Sequence, residues 1–345
     1  MTAIAPQAPT QRQSAVEARL REDIGLRPGW MTVATKEFAD HVQSVRFYVL
    51  LIVLGVAALI PLYFIAETLR SLASAASGTP AIFLGLIVLG PEGVNLGPIP
   101  FTVQAFVAIA APLLGVAFAF DSVNGERHQG TLPRLLSQPI HRDDVINGKF
   151  AAGLAVISVA LFATLLIIAG FGMLRLGIVP SLEEIVRMVA WLLVTILYVS
   201  LWLAFGMLLS VVIRRAATSA LVGFGVWLFV ALPLIGPLLA ELLGRFLATG
   251  ASSAADYYST IQWVQRLLPG QVYAEASAAL LNPRVTSVSA SEIYSEQYVQ
   301  QIPQTFLSFD QSFLLILPHI VILVALTVGC FALAYARFMR QEVRA

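Results

Sequence analysis

Four stretches of the chain, residues 47–66, 101–120, 151–174 and 188–211, each run for twenty residues or more without a charged side chain, and a fifth, residues 312–338, carries only Arg337 near its end. An α-helix rises about 1.5 Å per residue, so about 20 apolar residues cover the roughly 30 Å hydrocarbon layer of a bilayer. Within lipid every backbone N–H and C=O needs an internal partner, which a helix supplies and an open strand does not. These runs therefore predict membrane-spanning helices. A sixth, residues 219–243, is long enough but holds Pro233 and Pro237 in its outer half. Residues 81–90 are apolar but too short to cross, and they lie between Pro80 and Pro91. They predict an interfacial or re-entrant segment rather than a seventh span.

Composition and charge agree. Of 345 residues, 58% are hydrophobic and only 12% charged, with mean hydropathy +0.82; a soluble domain averages about 25% charged residues. A net charge of +1 supplies no global basic field, which argues against a nucleic-acid partner. The single cysteine, Cys330, excludes an internal disulfide and a cysteine metal cluster. Residues 1–29 lack the apolar core of a secretory signal and read as a disordered cytoplasmic tail. Residues 30–345 then form a single transmembrane domain. Of its 21 Lys and Arg, the chain places fifteen in residues 1–46, 121–150 and 213–218 and at the C-terminus. The positive-inside rule puts those alternate connections, and with them both termini, in the cytoplasm; six spans satisfy that parity.

Before the first span, Ala34, Phe38, Val42 and Val45 recur at helical spacing, while Lys36, Glu37, Asp40 and Gln43 fall elsewhere. That pattern over residues 31–46 predicts an amphipathic helix lying on the inner membrane surface, with Trp30 at headgroup depth. On the outer side, Ser181 and Glu184 form an S-x-x-E cap for the helix of the fourth span. Residues 244–311, with Pro269, Pro283 and Pro303, predict a small extracytoplasmic helical cap between spans five and six. Gly206, Ser210, Gly223 and Gly225 suit close helix contact. Trp202, Phe205, Trp227 and Phe229 suit packing or lipid contact, or the lining of a path for an apolar substrate.

The long inner loop, residues 121–149, reads DSVNGERHQGTLPRLLSQPIHRDDVINGK. Gly130 breaks the helix arriving from the second span. Thr131 can cap a new helix with Pro133 in its first turn. Leu132, Leu135 and Leu136 line one face of it, and Pro139 ends it. Asp143 or Asp144 can cap the next helix, which leads into the third span. A short helix with a leucine face packs either on its own bundle or in a groove of a partner.

Resemblance bears on that choice. Glu126-x-x-x-Gly130-Thr131-Leu132, then Leu135-Leu136-Ser137-x-Pro139, Arg142 and Gly148-Lys149-Phe150, are similar to the cytoplasmic signature of ABC-2 type exporter permeases, which usually reads E-R-x-x-G-T-L-x-x-L-L-S-x-P-x-x-R-x-x-x-x-x-G-K-F. The amphipathic helix, the six-span layout, Leu268-Pro269-x-x-x-Tyr273-Ala274-Glu275-Ala276 and the terminal Arg337-Phe338 also resemble that family. The resemblance implies an all-α membrane protein of six transmembrane helices with a coupling helix between spans two and three. That helix would dock on a separate ATPase subunit, which would bind ATP and Mg; this chain would hold no cofactor. Glu126, Arg127, Gly130, Thr131 and Leu132 would form the docking turn. Leu135 and Leu136 would fill an apolar groove, and Arg142 and Lys149 would pair with acidic groups or lipid phosphates. His128, Gln129 and Pro133 depart from the common pattern. The resemblance further implies a second permease copy, as a homodimer or alternatively a heterodimer, in the plasma membrane of a prokaryote. Closure of the ATPase would tilt spans one, two and five.

The chain contains no ATPase of its own: Gly148-Lys149 lacks the upstream glycine of a phosphate loop, and Phe150 replaces its Ser or Thr. Ion-driven carriers place ionisable residues mid-membrane. Here Glu67, Asp121, Arg175, Glu241 and Arg337 sit at span ends, while His319 and Gln104 suit a hydrogen bond to a neighbouring helix. The zinc-protease and nucleophile-elbow patterns are absent. The alternative functions are a carrier or channel that needs no ATPase, and a membrane anchor or assembly factor.

Overall fold

A computed structural model of the protein describes residues 28–73, 82–90, 101–128, 130, 141–177, 179–230, 232, 235–289 and 306–340. Among these the regular structure is helical: α1 Gly29–Val42, α2 Val45–Ala73, α3 Ile82–Val88, α4 Val103–Ala119, α5 Asn124–His128, α6 Arg142–Leu176, α7 Leu182–Val212, α8 Ala216–Val230, α9 Gly236–Leu247, α10 Ala254–Gln265, α11 Pro269–Leu281 and α12 Phe309–Met339. Five helices, formed around α2, α4, α6, α7 and α12, are long and apolar enough to cross a membrane. They coincide with the five charge-poor runs. The expected tail, residues 1–29, falls outside the described residues except at its last two positions, and Gly29 already belongs to α1.

The expected sixth span, residues 219–243, is not one helix. Its 15-residue first part, α8, rises about 22 Å, short of the roughly 30 Å hydrocarbon layer. A new helix, α9, then starts with Pro237 in its first turn. Proline has no N–H to continue a helix but suits the first turn of one. α9 exposes Leu238, Leu239, Leu242, Leu243 and Phe246 and carries the Glu241–Arg245 ion pair elsewhere on its surface. Of the segment 244–311, the described part forms the end of α9 together with α10 and α11.

Contacts define two ends of the bundle. At the basal end, Arg46 at the start of α2 pairs with Asp121 just past α4 at 2.7 Å, and Asp144 in α6 accepts the Trp30 N–H of α1 at 3.0 Å. At the distal end, Glu184 in α7 accepts the Phe83 N–H of α3 at 2.9 Å, and Arg187 in α7 donates to Ser312 of α12 at 3.1 Å. α8 leads from basal to distal along α4, with Trp227 Nε1 donating to Ile109 C=O at 2.9 Å. α1 and the C-terminal end of α12 therefore lie at the same, basal end.

α7 is the hub, packed by α4, α6, α8, α11 and α12. Its crossing with α4 is backbone-close: a Cβ on Gly115 would stand 2.7 Å from the Leu203 nitrogen and 2.8 Å from the Val199 oxygen. Gly206 and Gly223 also sit at tight crossings, whereas Gly225 faces open space. Within residues 81–90, expected at an interface or re-entrant, Ile82–Val88 form the short helix α3, with Phe83, Leu84, Leu86 and Ile87 buried in the core. Its N-terminus is held by Glu184, which also accepts the Ser181 N–H at 2.8 Å. Trp202 is buried, Phe205 and Trp227 pack partly on the core, and Phe229 is exposed.

Candidate coupling site

The residues read as the docking turn begin where α4 leaves the bundle. Residues 120–123 turn, and α5 follows. Ser210, near the end of α7, accepts the Val123 N–H at 2.9 Å and the Asn124 N–H at 3.2 Å through its hydroxyl oxygen. Asn124 Nδ2 donates to the Ile213 C=O at 3.1 Å. Both Ser210 and Asn124 are fully buried. A buried backbone amide without a partner costs about 1–3 kcal/mol, so these bonds fix where the turn emerges.

Glu126 follows on α5. Its Oε1 lies 2.7 Å from Lys149 Nζ, and the same ammonium is 3.1 Å from Glu37 Oε1 on α1. The Lys149 side chain is 4% exposed. Lysine suits this place because three rotatable donors on a flexible stem can serve two carboxylates at once. Glu37 also contacts Lys36 at 3.4 Å, and Lys36 reaches Asp40 at 3.1 Å. Burial raises the Glu37 carboxyl, but Lys149 and Lys36 outweigh it and hold the group below the usual carboxylate range. Burial pushes the nearby His41 imidazole down against the pull of Glu37, which favours its neutral form at pH 7.

Asp144 ties the far side of the loop. One oxygen accepts the Trp30 N–H, and the other accepts the His141 N–H at 3.3 Å. One carboxylate thus serves the first turns of both α1 and α6, where the helix dipoles favour negative charge. Asp144 was expected as a cap; it acts from the third helical position, with His141 before the helix. Gly148 lets α1 approach: a Cβ there would lie 2.7 Å from both the Trp30 oxygen and Val33 Cβ.

The other predicted site residues divide in two. Gly130 has φ 69°, the left-handed conformation that ends a helix, and its N–H donates to Arg127 C=O at 3.2 Å. Arg127 reaches Val211 C=O only at 3.5 Å and feels the charges of Arg214 and Arg337. Arg142 opens α6. Thr131, Leu132, Leu135, Leu136 and Pro139 lie outside the described residues. The sequence reading missed Glu37, Asn124 and the role of Ser210; Glu37 was assigned to the polar side of α1. Lys149, expected to pair with acidic groups or lipid phosphates, pairs with Glu126 and Glu37 of its own chain.

The distal end holds a second polar cluster. Arg187, 1% exposed, donates to Leu280 C=O at 2.9 Å, Leu307 C=O at 2.6 Å, Ser312 and Glu183. Glu275 on α11 gathers Arg266 at 2.8 Å, Gln271 at 3.0 Å, Gln262 at 3.2 Å and His319 Nε2 at 2.9 Å. Burial raises the Glu275 carboxyl; the His319, Gln271 and Arg266 contacts outweigh it and hold the group low. Gln104 donates to Ala274 C=O at 3.3 Å, so both polar groups singled out within the spans reach α11.

A bundle of long apolar helices with a polar turn clamped at its basal end defines a multi-pass membrane protein. Residues 31–343 match the family described as "ABC-2 family transporter protein", and the chain belongs to that family. It is 28% identical over 176 residues, 48% of its length, to the "Probable ABC transporter permease protein NosY" of Stutzerimonas stutzeri. A protein of the same name from Pseudomonas aeruginosa is 28% identical over 156 residues, 44% of the chain. The chain spans 61% of the length of the first relative and 56% of the second.

Proposed function

We propose that the protein is the permease subunit of an ATP-driven ABC exporter in a prokaryotic plasma membrane, with the basal end in the cytoplasm. α8, which leads from the basal to the distal end, makes the sixth crossing, so both termini face the cytoplasm, the orientation the loop charges favour. Residues 126–142 form the contact with a separate ATPase subunit that carries ATP and Mg. A second permease copy, identical or closely related, completes the translocation path. Closure of the ATPase pair displaces the docking turn and tilts the bundle between its two access states.

The observation that carries this reading is the way the turn is held. Ser210, Asn124 and the Glu126–Lys149 pair hold α5 against the ends of α7 and α6, so a push on α5 reaches the spans. The test replaces Leu135→Asp and Leu136→Asp together and measures co-purification of the co-expressed ATPase and ATP-dependent transport. Loss of both is expected. Undiminished co-purification with full transport would overturn the coupling assignment.

A further inference from the structure

α8 starts just past Arg214 and Arg215 at the basal end and rises about 22 Å, so α9 begins near the distal boundary of the hydrocarbon layer. α9 has two faces. Gly244 turns toward α10, where a Cβ would lie 2.8 Å from Ile261 Cα, and α9 packs mainly on that helix. Leu238, Leu242 and Phe246, at i, i+4 and i+8, make the other face with Leu239 and Leu243, and all five are at least half exposed. A helix of this pattern at a membrane boundary lies in the interface with its apolar side toward the acyl chains.

Glu241 and Arg245 stand on the border between the two faces. There they wall a cavity of about 370 Å³ between α9, α10 and the start of α11. On α10 the cavity is lined by Tyr257 and Tyr258, whose rings meet edge-on at 5.3 Å. Gln271 of α11 lines it as well. Gln271 Nε2 donates to the carboxylate of Glu275 at 3.0 Å, so the group this amide can offer a ligand is its carbonyl oxygen. A carboxylate, a carbonyl oxygen and two phenol rings together suit an ammonium group. The guanidinium of Arg245, one helical turn from Glu241, suits a phosphate. Glu241 and Arg245 pair with each other across an exposed surface. Such a pair contributes little, so a ligand that carries both charges can replace it at small cost.

We propose that this cavity binds the headgroup of a zwitterionic phospholipid of the distal leaflet. The ammonium lies against Glu241, Gln271 and the tyrosines, the phosphate lies on Arg245, and the acyl chains run along the leucine face of α9. The cavity has the size of a headgroup rather than of a protein surface, and the adjoining leucine face favours a lipid over a free zwitterion in water. The bound lipid fastens α9 and α10 to the leaflet. The inference needs the membrane placement of the bundle and not the coupling role proposed above.

The test titrates the purified, delipidated full-length chain with dioleoyl phosphatidylethanolamine or dioleoyl phosphatidylglycerol and counts bound lipid by native mass spectrometry. The first equivalent of phosphatidylethanolamine should bind about tenfold tighter than that of phosphatidylglycerol. Glu241→Gln together with Arg245→Gln should erase that preference, whereas Arg284→Gln, at another exposed distal charge, should keep it. Equal binding of the two lipids by the wild type, or a preference that survives the double substitution, would overturn the site. Displacement of the bound lipid by free phosphoethanolamine would assign the cavity to a soluble ligand and overturn the lipid. A second measurement places a bimane fluorophore on Leu242→Cys in a chain that also carries Cys330→Ser, reconstituted in vesicles with nitroxide-labelled acyl chains. Quenching is expected. Its absence would put the leucine face in water or against another protein copy and overturn the proposal.

Discussion

The guanidinium of Arg187 donates to Ser312 Oγ at 3.1 Å, tying the first turn of α12 to a helix 125 residues earlier in the chain. The same group satisfies the carbonyls of Leu280 and Leu307 and pairs with Glu183. One side chain therefore closes the distal end over α7, α11 and α12. Removing it leaves the buried Leu280 carbonyl and Ser312 hydroxyl without this donor, at about 1–3 kcal/mol for each unpaired group. Arg187→Met should lower the thermal unfolding midpoint of the purified protein by at least several degrees, whereas Arg284→Met, at an exposed turn, should leave it within a degree or two.

The α4–α7 crossing depends on the absence of a side chain at Gly115. A Cβ there meets backbone atoms, which no rotamer change can clear. Gly115→Val should prevent the two helices from closing, and size-exclusion chromatography should show loss of the monodisperse species. Gly329→Ala, where nothing lies within 4 Å, should purify as the wild type does.

Ser210→Ala removes the acceptor of two buried amides. At about 1–3 kcal/mol for each unpaired group, the variant should lose stability and retain less of the ATPase on co-purification. Ser210→Thr keeps the hydroxyl and should recover most of both. Equal ATPase retention by Ser210→Ala and the wild type would show that these bonds do not position the turn.

Glu275 titrates below the ordinary carboxylate value of about 4.3. A depressed folded-state value means that its stabilisation is present above the unfolded-state value and is lost as pH falls through the folded one. Glu275→Gln should therefore unfold at a lower temperature than the wild type at pH 7. That gap should narrow as pH is taken from 6 toward 3.5, measured by intrinsic fluorescence during heating.

The helices that cross the bilayer were legible because lipid demands long apolar runs, and the five longest appear where the charge-free segments lie. Local punctuation was legible too. Gly130 was read as a breaker and has a positive φ, and Ser181 with Glu184 was read as a cap and is one. What sequence did not reveal lies across the chain. Glu184 was visible as a partner for Ser181 three residues away, but not as the acceptor for Phe83, 101 residues away. Of the apolar positions named before the first span, Ala34, Phe38 and Val42 are half-buried on α1, with Phe38 and Val42 against the core; the most buried side chain is their neighbour Val33, and Val45 falls on α2, 78% exposed. Gly148 leaves the room that Val33 fills, and nothing in residues 29–42 announces that. The break after α8 falls in the outer half of its run, where Pro233 and Pro237 stand, and Pro237 lies in the first turn of α9.

α7 and α12 are equally long, but 67% of the central window of α7 is buried within the chain against 17% of that of α12. From Val194 to Val211 no residue of α7 is exposed, so that stretch has no face on which a side chain can vary freely. Under saturation mutagenesis α7 should therefore appear as a nearly continuous intolerant band. α12 should alternate between tolerance and intolerance with the helical repeat, its sensitive positions following Ile316, His319, Leu323, Thr327 and Ala334. Any additional sensitive stripe on α12 would map a neighbour beyond this chain, so the rhythm of its tolerated substitutions becomes a test for the second copy proposed above.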